Sequence, residues 1–226
     1  MDSPSLVIFC RRPALGVGKQ RIAADLGSAV TLELAENLCA ATIEDANAWP
    51  GPVVLAPDRS EDTDWAHHLL ERPCRVISQG KGNLGERINQ VDKTLRGTID
   101  TQTLYIGSDA PLLDTAYFAA ASEALATNDV VLGPADDGGV TLMGACCAWP
   151  DLAHLPWSTA ELCNALELTC LKNGLTVLRL ENRYDIDLAE DLPRLYEDLR
   201  SDLRPARQKF RRWLENSGLV PLIDPR

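Results

Sequence analysis

The sequence has no Cys-x-x-Cys pair, only three histidines, and no apolar run near the roughly 18 residues that a membrane span requires. Its seven cysteines are odd in number, and the adjacent Cys146 and Cys147 would face opposite sides of a strand. Free thiols in a reducing compartment are the reading, which places the protein in the cytoplasm. Met1 to Ser5 carries no basic segment and Leu6 to Cys10 is too short for a signal-peptide core, so neither targeting nor membrane insertion is expected. His67, His68 and His154 fall in no motif. Positive charge is also scarce, with 22 Lys and Arg against 33 Asp and Glu and a net charge of −11. A nucleic-acid partner is excluded on that balance, since phosphate backbones demand an excess of cations. Repeats, low-complexity stretches and long linkers are absent too.

What is present is an ordinary globular composition, 45% hydrophobic and 24% charged over 226 residues, enough for one α/β domain. Short β-type runs alternate with helical ones. The strand candidates are Leu6–Cys10, Pro52–Ala56, Arg75–Ser78, Thr103–Ile106, Val130–Leu132, Val140–Ala145 and Thr176–Leu180. Helical periodicity covers Ala29–Ala46, Leu84–Leu95, Thr115–Leu125, Thr159–Leu171 and Leu188–Leu199. Asn83 with Glu86, Ser158 with Glu161, and Asp187 with Glu190 have capping-box spacing. Only seven residues, 133–139, separate Val130–Leu132 from Val140–Ala145, which leaves no room for a helix and predicts an antiparallel return inside a mixed sheet. Residues 1–203 form the main domain and 204–226 a basic helical extension packed on it, with Phe210, Trp213 and Leu214 inward and Arg207, Lys209, Arg211 and Arg212 on the wet face.

Five segments carry candidate chemistry. The first, 11–21, follows the first strand and holds Arg11, Arg12, Lys19 and Arg21 within eleven residues free of acids. Glycines such as Gly16 let a backbone approach phosphate closely, and the cations add charge-assisted bonds. It is not a Walker A loop, which needs Gly at Pro13 and Ser or Thr at Gln20. The second, Gln79 to Arg87, joins flexible Gly80 and Gly82 to a capped helix. Gln79 has an amide suited to a base edge, Arg87 suits a phosphate, and Asn83 serves as ligand or N-cap. The third is Gly107-Ser108-Asp109-Ala110-Pro111, which puts a carboxylate at a strand end where Mg²⁺–phosphate chemistry occurs; an Asx turn is the plain alternative. The fourth, Gly133-Pro134-Ala135-Asp136-Asp137-Gly138-Gly139, also reads as a hairpin turn. In the fifth, Tyr184-Asp185-Ile186-Asp187, Asp187 either caps a helix or supplies a second metal carboxylate.

These segments in this order, with Leu155-Pro156-Trp157-Ser158-Thr159, closely resemble the bacterial GT-A-like transferases labelled selenodomain-associated transferase type 1 or arsenosugar-biosynthesis glycosyltransferase. The resemblance runs from about Leu6 to Tyr196. The chain is similar, more distantly, to phospholactate and molybdenum-cofactor guanylyltransferases. It departs from the family pattern at Leu15, Gln20, Ile22 and Val140. The resemblance implies a nucleotide-diphospho-sugar transferase fold, a three-layer α/β/α sandwich around a mixed, mostly parallel sheet.

The resulting expectation is metal-dependent transfer from a nucleotide-activated donor to a small-molecule acceptor. Arg11, Gly16, Lys19, Arg21, Arg87 and Ser108 hold phosphates, while Gln79, Gly80 and Asn83 hold the base. Asp109 and Asp187 bind Mg²⁺ or Mn²⁺, Asp109 and Asp137 are the catalytic carboxylates, and Asp137, Gly138, Trp157 and Thr159 meet the acceptor. Glycosyl transfer is the leading reaction. Nucleotidyl transfer is the alternative, since Ser108-Asp109-Ala110 lacks the paired Asp-x-Asp of many GT-A enzymes, and a non-catalytic nucleotide-binding domain is the third reading.

Overall fold

A computed structural model of the chain describes residues 3–97 and 102–220. Its strands are β1 (Ser5–Cys10), β2 (Val53–Pro57), β3 (Arg75–Val76), β4 (Thr103–Ile106), β5 (Val130–Pro134), β6 (Val140–Ala145) and β7 (Val177–Arg179). They form one sheet in the order β3-β2-β1-β4-β6-β5-β7. The strand β6 runs antiparallel to both of its neighbours, and every other pairing is parallel. The short 135–139 connection forces that reversal. The helices are α1 (Gln20–Leu26), α2 (Ser28–Ala48), α3 (Thr63–His67), α4 (Leu84–Arg96), α5 (Thr115–Ala124), α6 (Leu162–Lys172), α7 (Asp191–Asp198) and α8 (Pro205–Ser217).

The chain divides into two compact units. The first comprises Met1–Arg12, Asp45–Gly107 and Leu113–Tyr184. It holds the whole sheet and covers both of its faces. On one face Val7, Val54, Tyr105, Leu132 and Met143 pack with Ile88, Val91 and Leu95 of α4 and with Cys163, Leu166 and Cys170 of α6. On the other, Leu104, Val131 and Gly144 meet Leu125 at the end of α5. A Cβ on Gly144 would lie 2.4 Å from Val131 Cγ1, so only glycine lets that layer close. Helices on both faces explain why β1, β2 and β5 read as continuous apolar runs rather than alternating ones. This is the expected α/β/α arrangement around a mixed sheet.

The second unit comprises Pro13–Glu44, Ser108–Leu112 and Asp185–Arg226. It buries Ile22, Leu34 and Leu38 with Leu192, Leu195, Phe210 and Leu214. Phe210 and Leu214 on α8 are buried as their spacing predicts, yet Arg207, expected on the wet face, is wholly buried. Its guanidinium is held by carbonyls of Pro111 and Ala41 and the Glu44 carboxylate. Residues 221–226 of the extension lie outside the described residues. Among those described, no helix is long and apolar enough to cross a membrane.

The short helices α1 and α3, absent from the sequence reading, carry no side-chain cap that would have marked their starts. Two local expectations need correction. Ser158 does not cap α6: its φ of 63° is left-handed, whereas an N-cap is extended, and the helix begins only at Leu162. Asp187 does not cap α7, which starts at Asp191. The Asp191 carboxylate instead accepts from the backbone N–H groups of Asp187 and Leu188. By contrast, the Asn83–Glu86 capping box of α4 forms in full.

Candidate functional site

In parallel α/β sheets, ligands gather outside the C-terminal ends of the strands where the winding reverses. Here β1 lies between β2 and β4, so the reversal falls between β1 and β4. The loops that leave these two strands carry Lys19 and Asp109, and the segment that follows β7 carries Asp185 and Asp187. All four residues belong to the second unit.

The loop after β1 is shaped by backbone. Gly16 and Gly18 have φ of 75° and 72°, and Lys19 itself is left-handed at the start of α1. A lysine held in αL is uncommon and needs support from its surroundings. That support comes from its side chain, whose Nζ donates to Asp109 Oδ2 at 3.1 Å and to Asp187 Oδ1 at 2.8 Å. Burial of the ammonium is the largest influence on Lys19 and would lower its pKa. The charges and hydrogen bonds of Asp109 and Asp187 outweigh it and hold the group above its ordinary 10.5.

Burial alternates along Tyr184-Asp185-Ile186-Asp187, so residues two apart share a side. Tyr184 and Ile186 are buried, while Asp185 and Asp187 are half-buried. The Ile186 N–H donates to the Asp109 carbonyl at 2.9 Å, which ties the two acidic segments together at the backbone. Asp109, Asp185 and Asp187 each offer a carboxylate oxygen, and these three atoms lie within 4.8 Å of one another. Oxygen ligands stand about 2.0–2.6 Å from Mg²⁺, Mn²⁺-sized ions or Ca²⁺, so the spacing fits a single hard divalent cation. Three carboxylates against one ammonium leave a formal −2, which such an ion balances. Asp185 was not singled out as a ligand in the sequence. The signal was its i, i+2 relation to Asp187.

The other first-loop cations are differently placed. Arg11 Nε donates to Asp58 at 2.7 Å, and Arg12 lies 3.6 Å from Asp62, so both pair with acids that follow β2. Arg21 is exposed and makes no ion pair among the described residues. Ser108 is half-buried beside Asp109 in the chain.

The remaining expected site residues lie in the first unit. Gln79 is buried, and its Nε2 donates to the Ala56 carbonyl at 2.7 Å, with the Cys10 carbonyl at 3.5 Å. Arg87 donates to the Gly82 carbonyl at 2.8 Å and reaches Gln79 Oε1 at 3.5 Å. Asn83 caps α4 through Oδ1 and donates from Nδ2 to the Ala153 carbonyl. Gly80 has a φ of 79°. Asp137 is exposed and accepts from the Gly139 N–H as an Asx turn does. Gly138 packs so close to Ala160 that a Cβ would sit 2.0 Å from its carbonyl oxygen. Trp157 donates from Nε1 to the Leu152 carbonyl, and exposed Thr159 donates to that of Pro156. Gln79 and Arg87 are thus brought together, as are Lys19, Asp109 and Asp187.

Residues 40–159, just over half of the chain, match the family described as "Uncharacterized protein conserved in bacteria (DUF2064)". The matched stretch includes Asp109 and leaves Lys19, Asp185 and Asp187 outside it. No curated protein matches the chain in sequence. Among solved structures, the chain is similar to a protein of Desulfovibrio desulfuricans G20 provisionally named a nucleotide-diphospho-sugar transferase. That pair has a TM-score of 0.83 and 22% identity over 96% of each chain. It is also similar to the 4-diphosphocytidyl-2C-methyl-D-erythritol synthase of Anaerococcus prevotii DSM 20548, with a TM-score of 0.55 and 12% identity over 95% of this chain and 99% of the other. A third is the Rv0371c protein of Mycobacterium tuberculosis H37Rv in complex with manganese. Its TM-score is 0.50, with 14% identity over 86% of this chain and 98% of that one. At these identities the similarity establishes the fold, that of the nucleotide-diphospho-sugar transferases.

Proposed function

The chain belongs to the bacterial family matched by residues 40–159, and from its acidic cluster we propose that it is a metal-dependent transferase that uses a nucleotide-activated donor. A single observation carries this reading: three carboxylates, from Asp109, Asp185 and Asp187, converge within 4.8 Å, and an ammonium, that of Lys19, bridges two of them. Carboxylates with a neighbouring lysine are the ligand chemistry of a divalent ion and the phosphates it carries.

In this reading Asp109, Asp185 and Asp187 hold Mg²⁺ or Mn²⁺, and Lys19 turns its ammonium from the carboxylates to the donor's phosphates. The bound ion supplies Lewis-acid neutralisation of the negative charge on the leaving phosphate. Lys19 adds a second, fixed positive charge at the same place. Arg21, exposed and unpaired among the described residues, is available to the phosphate tail. No protein nucleophile is required, which suits a chain whose histidines stand outside every motif. We assign base recognition to the Gln79–Arg87 loop and acceptor recognition to Asp137, Gly138, Trp157 and Thr159, with Asp137 taking the proton of an acceptor hydroxyl.

Transfer of a glycosyl group from a nucleotide-diphospho-sugar is the leading reaction. Nucleotidyl transfer is the second reading, favoured by one feature: Asp109 has no Asp partner two residues away, and the Asp-x-Asp pair of the site is Asp185 and Asp187 after β7. Thermal shift with Mn²⁺ separates the two. At a hundredfold excess over Kd a ligand stabilises by about 2.7 kcal/mol, which moves the midpoint by roughly 5–11 °C. A glycosyltransferase responds more to the nucleotide-sugar and its diphosphate than to the triphosphate, and slowly releases nucleoside diphosphate in water. A preference for triphosphate, with pyrophosphate released when acceptor is present, rejects the leading reading. A shift with no turnover leaves only a binding domain, and no response to either class rejects the nucleotide reading itself.

A further inference from the structure

The basic helix α8 lies outside every motif used above, yet its Arg207 side chain is wholly buried. Burying a guanidinium is costly unless it is paired and hydrogen-bonded, so its partners identify what the arrangement fixes. Its Nη1 donates to the Ala41 carbonyl and, at 3.1 Å, to the Glu44 carboxylate on α2. Its Nε donates to the Pro111 carbonyl at 3.1 Å. The other Glu44 oxygen accepts from the Ala206 N–H at 2.8 Å, so the carboxylate grips α8 at two consecutive residues.

Pro111 stands two residues after Asp109 in the non-helical segment Ser108–Leu112. Besides the Lys19 bond to the Asp109 carboxylate, the segment's backbone is tied at two carbonyls: that of Asp109 takes the Ile186 N–H, and that of Pro111 takes Arg207. The first tie sets Asp109 against the Asp185–Asp187 segment. The second sets the distance of the loop from the helices of the same unit. A planar guanidinium with fixed donor directions binds the Pro111 carbonyl and the Ala41 and Glu44 oxygens at once, which the single ammonium of a lysine does not match.

We propose that Arg207 is a positioning residue for the cation site: through Pro111 it holds the loop that aims the Asp109 carboxylate at the oxygens of Asp185 and Asp187. The proposal rests on the metal-site reading given above. Outer partners that orient metal ligands typically govern affinity by 10–100-fold without touching the ion.

The test measures Mn²⁺ binding by calorimetry, or by the paramagnetic signal of free Mn²⁺, at a temperature where every variant is folded by circular dichroism. Arg207→Lys keeps the positive charge against Glu44 and removes the directed bond to Pro111. Its Mn²⁺ Kd rises about tenfold, the low end for such partners. Phe210→Leu, in the same helix and equally buried, loses thermal stability but keeps the wild-type Kd. An unchanged Kd in folded Arg207→Lys overturns the proposal, as does an equal loss of affinity in Phe210→Leu, which would make the effect one of general loosening. Should Arg207→Lys not fold, Glu44→Gln decides in the same direction, with a raised Kd supporting the proposal and an unchanged one overturning it. A wild-type protein that binds no Mn²⁺ rejects the metal-site reading itself and the proposal with it.

Discussion

Lys19 Nζ lies 2.8 Å from Asp187 Oδ1, an ion pair between residues 168 positions apart that closes the loop after β1 onto the segment after β7. Since the same ammonium also reaches Asp109 Oδ2, one lysine bridges two of the three clustered carboxylates. A divalent ion and this ammonium compete for the same oxygens.

Lys19→Ala therefore has effects of opposite sign. Affinity for every nucleoside di- or triphosphate falls by about 1.5–3 kcal/mol whatever the base, because a point charge on phosphate ignores the base. Affinity for Mn²⁺ alone rises, since a positive charge leaves the site. Titration calorimetry with and without nucleotide checks both. Unchanged nucleotide affinity reduces the first loop to a surface turn.

Asp185→Asn is the sharper test of the cluster. Asp109→Asn, Asp185→Asn and Asp187→Asn should each weaken Mn²⁺ binding by more than about tenfold, as direct ligands exceed the lower range for outer partners. The proteins should stay folded, because all three carboxylates are partly solvent-exposed rather than core groups. Wild-type affinity in the Asp185 variant would confine the site to the other two.

Alkaline pH offers a second readout of Lys19. A folded-state pKa held above 10.5 gives stability that is fully present below 10.5 and is lost as pH rises through the raised value. The melting temperature of wild type should thus fall more steeply above about pH 10.5 than that of Lys19→Met, whose difference curve isolates this group. Parallel curves would mean that the ammonium gains nothing from its carboxylates.

Gln79→Ala is expected to cost stability as well as base preference. The buried amide serves the Ala56 carbonyl, and a buried acceptor left unpaired costs about 1–3 kcal/mol. Urea unfolding measures the first effect and a nucleotide panel the second. A uniform loss across bases assigns Gln79 to the scaffold alone.

Strand identity, the antiparallel β5–β6 return and the α4 capping box were readable from local pattern, because alternation, loop length and cap spacing each act over only a few residues. The starts of α6 and α7 were misplaced for a related reason. Ser158 and Asp187 have capping chemistry, but the backbone gave one a left-handed φ and engaged the other's N–H with Asp191. Lys19, Asp109 and Asp187 could be nominated one at a time from their positions at strand ends. That they meet is another matter.

By itself the sequence determined the alternating α/β plan, the apolar strands that demand helices on both faces, and the acidic and basic residues placed at strand exits. Those are consequences of local stereochemistry and hydrophobic burial. Only the tertiary structure decided that Asp185 joins Asp109 and Asp187, that Lys19 bridges two of them, and that Arg207 is buried beneath the Asp109 loop rather than solvated. The distinction is physical: a carboxylate or guanidinium has the same local preferences whether exposed or paired, and its environment is set by chain segments brought together from far apart. The strand order, with β1 between β2 and β4, sends out the loops that carry Lys19 and Asp109, and the exit of β7 supplies the remaining pair.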